Sequence, residues 1–212
     1  MLRPQTVDEQ CGIQDPRITV DRATGTYIMA YTAYGDTTNA CNASTHCTTW
    51  ADCSHCCRTV STKVATSKTP EVEASWVRLA RTGDKGFDAK STAILVRDAP
   101  PHYQFTGTGT VLSWQSDDLL HWTKPEVAIK GRAGEFDPTY CEAGAPPARL
   151  SDGNYFGTYD TIISGRRAHG WAAGWVVLNG SAPRTVLQRG GEPLLVPTMP
   201  WELQTPPEWN WT

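Results

Sequence analysis

A β-hairpin near the start of the chain is predicted by the alternation of apolar and polar residues. Ile18 and Val20 are separated by one polar residue, and the segment Tyr27–Ala33 continues the alternation after a break. The break, residues 21–25, consists of residues that favour turns. Because the pattern repeats every two residues, it indicates strands rather than helices. We therefore predict a hairpin over residues 15–34.

Similar groups of strands recur further along the chain. Residues 65–76 and 114–122 share a strand, a polar turn and a later tryptophan, and they begin about 50 residues apart, a spacing found in propeller blades. Residues 142–161 repeat the opening hairpin, with an acidic residue, prolines, a turn and an aromatic strand. Further strands are predicted over residues 60–66, 90–98, 102–106 and 170–178. The pattern predicts an all-β fold of the β-propeller type.

Length and charge limit the classes of function. The 212 residues suit a single domain over 1–212, and the net charge of −3 with a pI near 5.9 argues against nucleic-acid or anionic-membrane partners. No apolar run approaches the roughly 18 residues of a membrane span. The polar N-terminal residues do not resemble a signal peptide, so we expect the native N-terminus to lie outside this chain.

Five of the seven cysteines lie in a polar insertion over residues 35–62, which has no apolar periodicity. The chain also carries three Asn-Xaa-Ser/Thr sequons, at Asn42, Asn179 and Asn210. Together these features favour secretion into an oxidising compartment and an insertion held by disulfides, with one cysteine left over. His55 between Cys53 and Cys56 leaves zinc as an alternative, although a second ligand pair is missing.

Asp15 is the first candidate for chemistry. It precedes Pro16 and Arg17 at the entry to the first strand, and the proline is expected to hold Asp15 in an extended conformation. A carboxylate on a stiff strand entry can serve as a catalytic acid or form a buried ion pair with a cation. The local pattern alone favours the ion pair.

Glu142 occupies what we interpret as the equivalent strand entry in a later repeat. Two carboxylates facing each other across a propeller axis are what glycoside hydrolysis requires, one as proton donor and the other as base or nucleophile. The alternative is that Asp15 and Glu142 both cap loops. Other candidates for substrate binding are cationic, aromatic or acidic side chains near these strands: Arg17, Lys90, Arg97, His102, Tyr103 and Asp160.

Ordinary surface charge is the alternative for these cations, and a salt bridge with Asp98 is the alternative for Arg97. Arg166, Arg167 and His169 are weaker candidates of the same kind. Nine tryptophans are many for this length, and we expect four of them to belong to the core rather than to stack on sugars. These four are Trp122, Trp171, Trp175 and Trp201.

Several segments resemble glycoside hydrolase family 130, which contains β-mannoside phosphorylases and related mannosidases. Gly12–Thr19 with Tyr27–Ala33 is similar to the family segment E-D-P-R followed by Y-x-M-x-Y-T-A, and Glu142–Pro147 is similar to G-x-G-x-P-P. Later similarities cover residues 174–179, 186–189, 193–197 and 201–202. The resemblance implies a five-bladed β-propeller. Because family members extend beyond the matched region, we expect about three blades in this chain.

The resemblance also implies roles. Asp15 matches the proton-donating aspartate, Arg17 belongs to the same motif, and Glu142 stands where phosphorylases usually have a small residue. The phosphorylase segment H-R-P is not clearly present. Both departures favour hydrolysis of β-mannosides, with Asp15 as acid and Glu142 as base, and no metal or cofactor is required. A phosphorylase using inorganic phosphate as co-substrate, and a non-catalytic sugar-binding propeller, remain the alternatives.

Overall fold

The computed structural model describes residues 2–35, 59–79, 90–123, 125–163 and 170–203. Short helical turns occur at Val7–Glu9, Glu73–Ser75 and Pro200–Leu203 (α1). The strands within the described residues are β1 (Gly12–Asp21), β2 (Thr26–Gly35), β3 (Thr59–Ser67), β4 (Val77–Arg78), β5 (Ala93–Leu95), β6 (His102–Thr106), β7 (Thr110–Ser116), β8 (Glu126–Lys130), β9 (Cys141–Ala143), β10 (Ala148–Arg149), β11 (Tyr155–Ile162), β12 (Trp171–Leu178) and β13 (Val186–Arg189).

These strands form three sheets. Their orders are β1-β2-β3-β4, β5-β6-β7-β8 and β10-β11-β12-β13, and in the third sheet β9 also pairs with β11. Within each sheet the main path follows chain order, as in a meander of four strands, which is the unit of a propeller blade. The predicted all-β class and the hairpin over residues 15–34 are therefore confirmed.

The chain divides into two compact units. The first unit is formed by Met1–Gln104 and Gln115–Thr123, and the second by Phe105–Trp114 and Lys124–Thr212. The prediction of a single domain over 1–212 stays a prediction. Of the predicted insertion over 35–62, Gly35 ends β2 and residues 59–62 begin β3, while residues 36–58 lie outside the described residues.

The central strand β2 organises the core of the first unit. Ile28 and Ala30 pack on one side with Val64 and Ile94, and Trp122 is partly buried against this cluster. The intervening residues of β2 pack on the opposite side in a second cluster. Because neighbouring side chains of a strand point to opposite faces, burial of both sets means that β2 is covered on both faces.

The edge strand β1 is different, because its apolar residues Ile18 and Val20 face outward. Ile18 is 47% exposed and Val20 is 39% exposed. The alternation in the sequence therefore predicted the strand correctly, but it did not indicate which face is buried. Among helices of the described residues, none is long and apolar enough to cross a membrane.

A buried ion network fixes the start of the first unit. The Tyr31 hydroxyl donates to Glu9 Oε1 at 2.6 Å, and Arg78 Nε donates to the same oxygen at 3.1 Å. Burial alone would raise the pKa of the Glu9 carboxyl, but hydrogen bonds from Tyr31 and Arg78 outweigh it and hold that pKa below its usual value. Lys63 adds a further cation 3.6 Å away.

The second unit contains the same arrangement. The Tyr159 hydroxyl donates to the fully buried Asp137 at 2.5 Å, and Arg189 bonds both Asp137 and Tyr159. Burial and the bond to Asp137 raise the pKa of Tyr159 to about 12. In both networks the tyrosine follows the carboxylate by 22 residues. The two sheets are therefore structural repeats with a carboxylate, a tyrosine and an arginine at matching places.

The repeat corrects one prediction from the sequence. In β1, Gln14 pairs with Thr32, the residue after Tyr31, whereas Glu142 pairs with Asp160, the residue after Tyr159. The counterpart of Glu142 is therefore Gln14 and not Asp15. Residues 15 and 142 are therefore offset by one position in the repeat.

Candidate functional site

Asp15 lies on a β-bulge. The pairing register between β1 and β2 shifts between Gln14 and Arg17, so that one extra residue is accommodated in β1. Asp15 has a φ of +52°, in the left-handed region, and not the extended conformation expected before Pro16. In one type of bulge, the first bulged residue adopts this conformation and is a glycine. Such a backbone costs on the order of 1–3 kcal/mol, and residues held this way cluster at functional sites.

The Asp15 side chain is held next to a cation. Lys90 Nζ lies 3.8 Å from Asp15 Oδ2, and Arg17 Nη1 donates to the Asp15 backbone carbonyl at 3.2 Å. Oδ2 is buried and has no hydrogen-bond partner within the described part of the chain. A buried carboxylate oxygen without such a partner is rare in native structures and calls for an explanation.

Lys90 is positioned by the residues that follow it. Ser91 has a φ of +59° and is fully buried, and its backbone N–H donates to Thr32 Oγ1 at 3.2 Å. The hydroxyls of Thr92 and Thr62 share a hydrogen bond of 2.5 Å. Because Thr32 also pairs with β1 beside the bulge, strand β2 anchors the segments that carry Asp15 and Lys90.

Arg97, His102 and Tyr103 form a separate cluster. The Arg97 backbone N–H donates to His102 Nδ1 at 3.1 Å, and its guanidinium donates to the Pro101 carbonyl at 3.0 Å and lies 5.8 Å from the centre of the Tyr103 ring. The Tyr103 hydroxyl accepts a bond from Gln115 Nε2 at 2.8 Å. These contacts hold the turn before β6 together. A role in substrate binding for the three residues stays a prediction.

His102 lies near the end of β1 that is remote from Asp15. Burial lowers the pKa of His102, opposed by the negative charge of Asp21. Six residues of extended strand separate Asp15 from Asp21, which corresponds to about 20 Å. The predicted set of cations is therefore divided: Lys90 lies with Asp15, and Arg97 and His102 do not.

The segment Ser116–Trp122 forms a turn beside an open groove of about 370 Å³. Asp118 Oδ1 accepts from the backbone N–H groups of Leu120 and His121, and its Oδ2 lies 2.6 Å from His121 Nδ1. The hydrogen bond from His121 and these backbone bonds hold the pKa of Asp118 well below its usual value. The carboxylate is therefore explained by the turn itself.

In the second unit, Glu142 and Asp160 are a cross-strand pair between β9 and β11. Glu142 is only 7% exposed, and the Tyr140 hydroxyl donates to its Oε2 at 2.5 Å. Directly opposed residues of an antiparallel pair have Cβ atoms about 4.5–5.5 Å apart. The structure therefore brings together two of the predicted site residues, both carboxylates.

The exposure of two tryptophans differs from what the sequence predicted. Trp171 is 43% exposed, so its assignment to the core was wrong, and Trp175 is only partly buried. Within the described ranges, no group of three or more His, Cys, Asp or Glu residues is arranged to hold a metal ion. The candidates Cys53, His55 and Cys56, with Arg166, Arg167 and His169, lie outside the described residues.

Comparison with protein families gives one match. The model of glycoside hydrolase family 130, described as beta-1,4-mannooligosaccharide phosphorylase, matches residues 1–204. No curated protein matches the sequence of the chain.

Several solved structures have a similar fold. One structure was reported with the finding that the GH130 family of mannoside phosphorylases contains glycoside hydrolases that target β-1,2-mannosidic linkages in Candida mannan. It has a TM-score of 0.71 and 22% identity, and the match covers 93% of this chain and 58% of that chain. A glycosyl hydrolase from Bacteroides ovatus has a TM-score of 0.69 and 24% identity, with coverages of 91% and 56%.

A third similar structure is the β-1,2-mannobiose phosphorylase from Listeria innocua in complex with β-1,2-mannobiose. Its TM-score is 0.71 and its identity 18%, with 93% of this chain and 49% of that chain covered. The chain thus spans about half the length of the structures it resembles. At these identities the likeness shows the fold, an all-β five-bladed propeller type of which this chain holds about three blades.

Proposed function

Because the chain belongs to glycoside hydrolase family 130, we propose that it acts on β-mannosides and transfers the mannosyl group to inorganic phosphate. The description of the matching family, a phosphorylase, supports this reaction. The preference for hydrolysis that we drew from the sequence finds no support in the comparisons.

The observation that carries the proposal is the environment of Asp15. Its backbone is held in a costly conformation, and its buried Oδ2 has no hydrogen-bond partner in the described residues. Lys90 and Arg17 bring positive charge to the same place. A carboxyl group prepared in this way suits proton donation to a ligand oxygen, and nearby cations suit the attraction of phosphate.

In the proposed reaction the bond between the mannose C1 and the glycosidic oxygen breaks. The Asp15 carboxyl provides the proton that the leaving oxygen acquires, and a phosphate oxygen forms the new bond to C1. Mannose 1-phosphate and the shortened saccharide leave, and the proton lost by the attacking hydrogen phosphate restores the Asp15 carboxyl. Atoms and charge balance without a metal or a redox cofactor.

Hydrolysis is the second candidate, and the cross-strand pair of Glu142 and Asp160 supports it. A carboxylate in this pair would accept the proton of a water molecule that attacks C1. However, the Tyr140 hydroxyl already bonds Glu142 Oε2, and Glu142 lies mostly buried. This engagement suits a fixed, positioning carboxylate as well as a base.

Product analysis separates the two reactions. The 212-residue chain is incubated with β-1,4- and β-1,2-mannobiose, with and without inorganic phosphate, and mannose and mannose 1-phosphate are quantified. We expect mannose 1-phosphate only when phosphate is present. Equal release of free mannose without phosphate would replace phosphorolysis by hydrolysis, and binding without any turnover would contradict both.

We further propose that the protein is a secreted glycoprotein of an oxidising compartment. Cys11 is disulfide-bonded, whereas Cys141 is a free, buried thiol. Asn179 lies in a surface turn, where it is half-buried and accepts hydrogen bonds from the exposed Ser181. Protein from a eukaryotic secretory host is expected to lose mass on removal of N-glycans, and an unchanged mass would count against this proposal.

A further inference from the structure

Thr32 lies inside the first sheet and connects the two segments that carry Asp15 and Lys90. It is fully buried on β2, where Gln14 of β1 pairs with it on one side and Thr62 of β3 on the other. Gln14 immediately precedes Asp15, so the pairing at Thr32 is the last regular one before the bulge. The backbone of Thr32 therefore fixes where the bulge begins.

The side chain of Thr32 contacts the second segment. Its Oγ1 accepts a hydrogen bond from the Ser91 backbone N–H at 3.2 Å, and both residues are fully buried. That N–H belongs to the peptide group that joins Lys90 to Ser91, and a peptide group is planar from one Cα atom to the next. The hydrogen bond therefore orients the plane that contains the Lys90 Cα atom.

Both of these segments contain a residue with a costly backbone conformation. Asp15 has a φ of +52° and Ser91 a φ of +59°, and among the described residues other than glycine only Leu119 also has a positive φ. Such residues persist where the surrounding structure leaves them no alternative. Thr32 provides part of that constraint for both, since it pairs beside Asp15 and binds the N–H of Ser91.

The arrangement brings an ammonium group to a carboxylate. Lys90 Nζ lies 3.8 Å from Asp15 Oδ2, and each side chain is 33% exposed. An ion pair between side chains of this exposure is weak and does not by itself hold two backbone segments together. The distance is therefore set by the two backbones, and Thr32 contacts both of them.

We propose that Thr32 is a positioning residue that holds Lys90 at a fixed distance from Asp15. Its hydroxyl acts through the Lys90–Ser91 peptide group, and its backbone acts through the pairing beside the bulge. The consequence for catalysis rests on the proposed function, in which Asp15 provides a proton. A displacement of about 1 Å can slow a reaction between positioned groups by roughly 10²-fold.

The first test measures the approach of Lys90 to Asp15 without turnover. A water-soluble carbodiimide joins an amine to a carboxylate that lies against it, and the Asp15–Lys90 amide in the 212-residue chain is quantified by peptide mass spectrometry. The parent chain is expected to form this crosslink and Asp15→Asn is not. Thr32→Val keeps the branched side chain but cannot accept the Ser91 N–H, so we expect the crosslink yield to fall several-fold. Thr32→Ser, which retains the hydroxyl, should restore it.

Ser67→Ala is the matched control. Ser67 Oγ also accepts a hydrogen bond from a backbone N–H, that of Thr69, at 2.9 Å, and Ser67 is buried on β3 of the same sheet. It pairs with Tyr27, and the five residues from Tyr27 to Thr32 along β2 correspond to about 17 Å. This variant is expected to keep the crosslink yield and the kcat of the parent chain.

The second test is kinetic and uses β-mannobiose with inorganic phosphate. Thr32→Val is expected to lower kcat by roughly 10- to 10²-fold with little change in KM, because the loss falls on the geometry of the reacting groups. Thr32→Ser should recover most of kcat. In a Lys90→Met background the effect of Thr32→Val should be much smaller, because the side chain that Thr32 positions is gone. A full effect in that background would contradict the positioning role.

Circular dichroism of every variant checks that the sheets are intact, and Thr32→Ala replaces Thr32→Val where the valine variant does not fold. Absence of the crosslink in the parent chain, or an unchanged yield in the folded variant, would overturn the inference, as would an equal fall in Ser67→Ala. If the yield depends on Thr32 but the parent chain shows no turnover, the inference stands and the proposed function falls. If turnover requires Asp15 while Thr32→Val keeps the kcat of the parent, the proposed function stands and the inference falls.

Discussion

At the scale of single residues, Asp15 shows both the reach and the limit of the sequence. Its identity and its neighbours Pro16 and Arg17 marked it as a candidate, and the structure places Lys90 beside it. Its conformation was predicted wrongly, because local preferences before a proline favour an extended backbone. The left-handed φ arises from the bulge, and a bulge depends on how two strands pair, which no local pattern records.

The backbone of Asp15 leads to a stability prediction. At a left-handed position glycine avoids a steric cost of about 1–2 kcal/mol that alanine retains, although glycine loses about 0.5–1 kcal/mol through greater freedom in the unfolded chain. We therefore expect Asp15→Gly to be more stable than Asp15→Ala by up to about 1 kcal/mol in urea unfolding. Asp152→Gly and Asp152→Ala are the control, because Asp152 does not belong to the described residues with a positive φ. There the alanine variant should be the more stable of the two.

At the scale of elements, alternation predicted most strands but not their environment. The strand predicted over residues 90–98 is reduced to Ala93–Leu95, and the edge strands Val77–Arg78 and Glu126–Lys130 were not predicted. Such short, exposed edges carry too few apolar residues to show a period, and Val127 is 58% exposed. Sequence spacing likewise did not show that Glu9 and Asp137 are buried, because burial of a carboxylate depends on partners distant in the chain.

These two buried carboxylates make the folded protein sensitive to acid. Both pKa values are lowered in the folded state, from ordinary values of 4.5 for Glu9 and 3.8 for Asp137. As the pH falls below those ordinary values, the unfolded chain takes up protons before the folded protein does. The free energy of unfolding therefore decreases as the pH falls from the ordinary values toward the lower folded-state pKa values. The full contribution of the two carboxylates is present only above the ordinary values. Urea unfolding at several pH values between about 2 and 7, a range that includes these ordinary pKa values, measures how the free energy of unfolding depends on pH.

Removal of one charge tests the networks directly. Leaving Arg78 or Arg189 without its buried partner costs roughly 3–5 kcal/mol, so we expect Glu9→Gln and Asp137→Asn each to lower the free energy of unfolding by that order. Glu71→Gln, at an exposed position, is the matched control and should change it by no more than about 0.5 kcal/mol. Equal stability of Glu9→Gln and Glu71→Gln would show that the network does not hold the first unit.

At the scale of the whole molecule, the fold could be recognised from the sequence and the reaction could not. The motif around Asp15 and the later segments led to family 130, which matches residues 1–204, and the sheets follow its propeller type. Hydrolysis was favoured because Glu142 stands where phosphorylases usually have a small residue and because the segment H-R-P is not clearly present. The pairing of Glu142 with Asp15 assumed that the two residues occupy equivalent places in two repeats. The buried tyrosines show that Glu142 repeats Gln14 instead, and only pairing in three dimensions reveals that offset.

The central claim, that Asp15 is the acid of a mannoside-cleaving reaction, is tested most directly by the turnover of Asp15→Asn. The variant keeps the size of the side chain but cannot donate a carboxyl proton, so we expect the rate on β-mannobiose with phosphate to fall roughly 10²- to 10⁴-fold. Asp21→Asn, a carboxylate at the other end of β1, is expected to retain the rate of the parent chain. Turnover by Asp15→Asn at the rate of the parent would contradict the account.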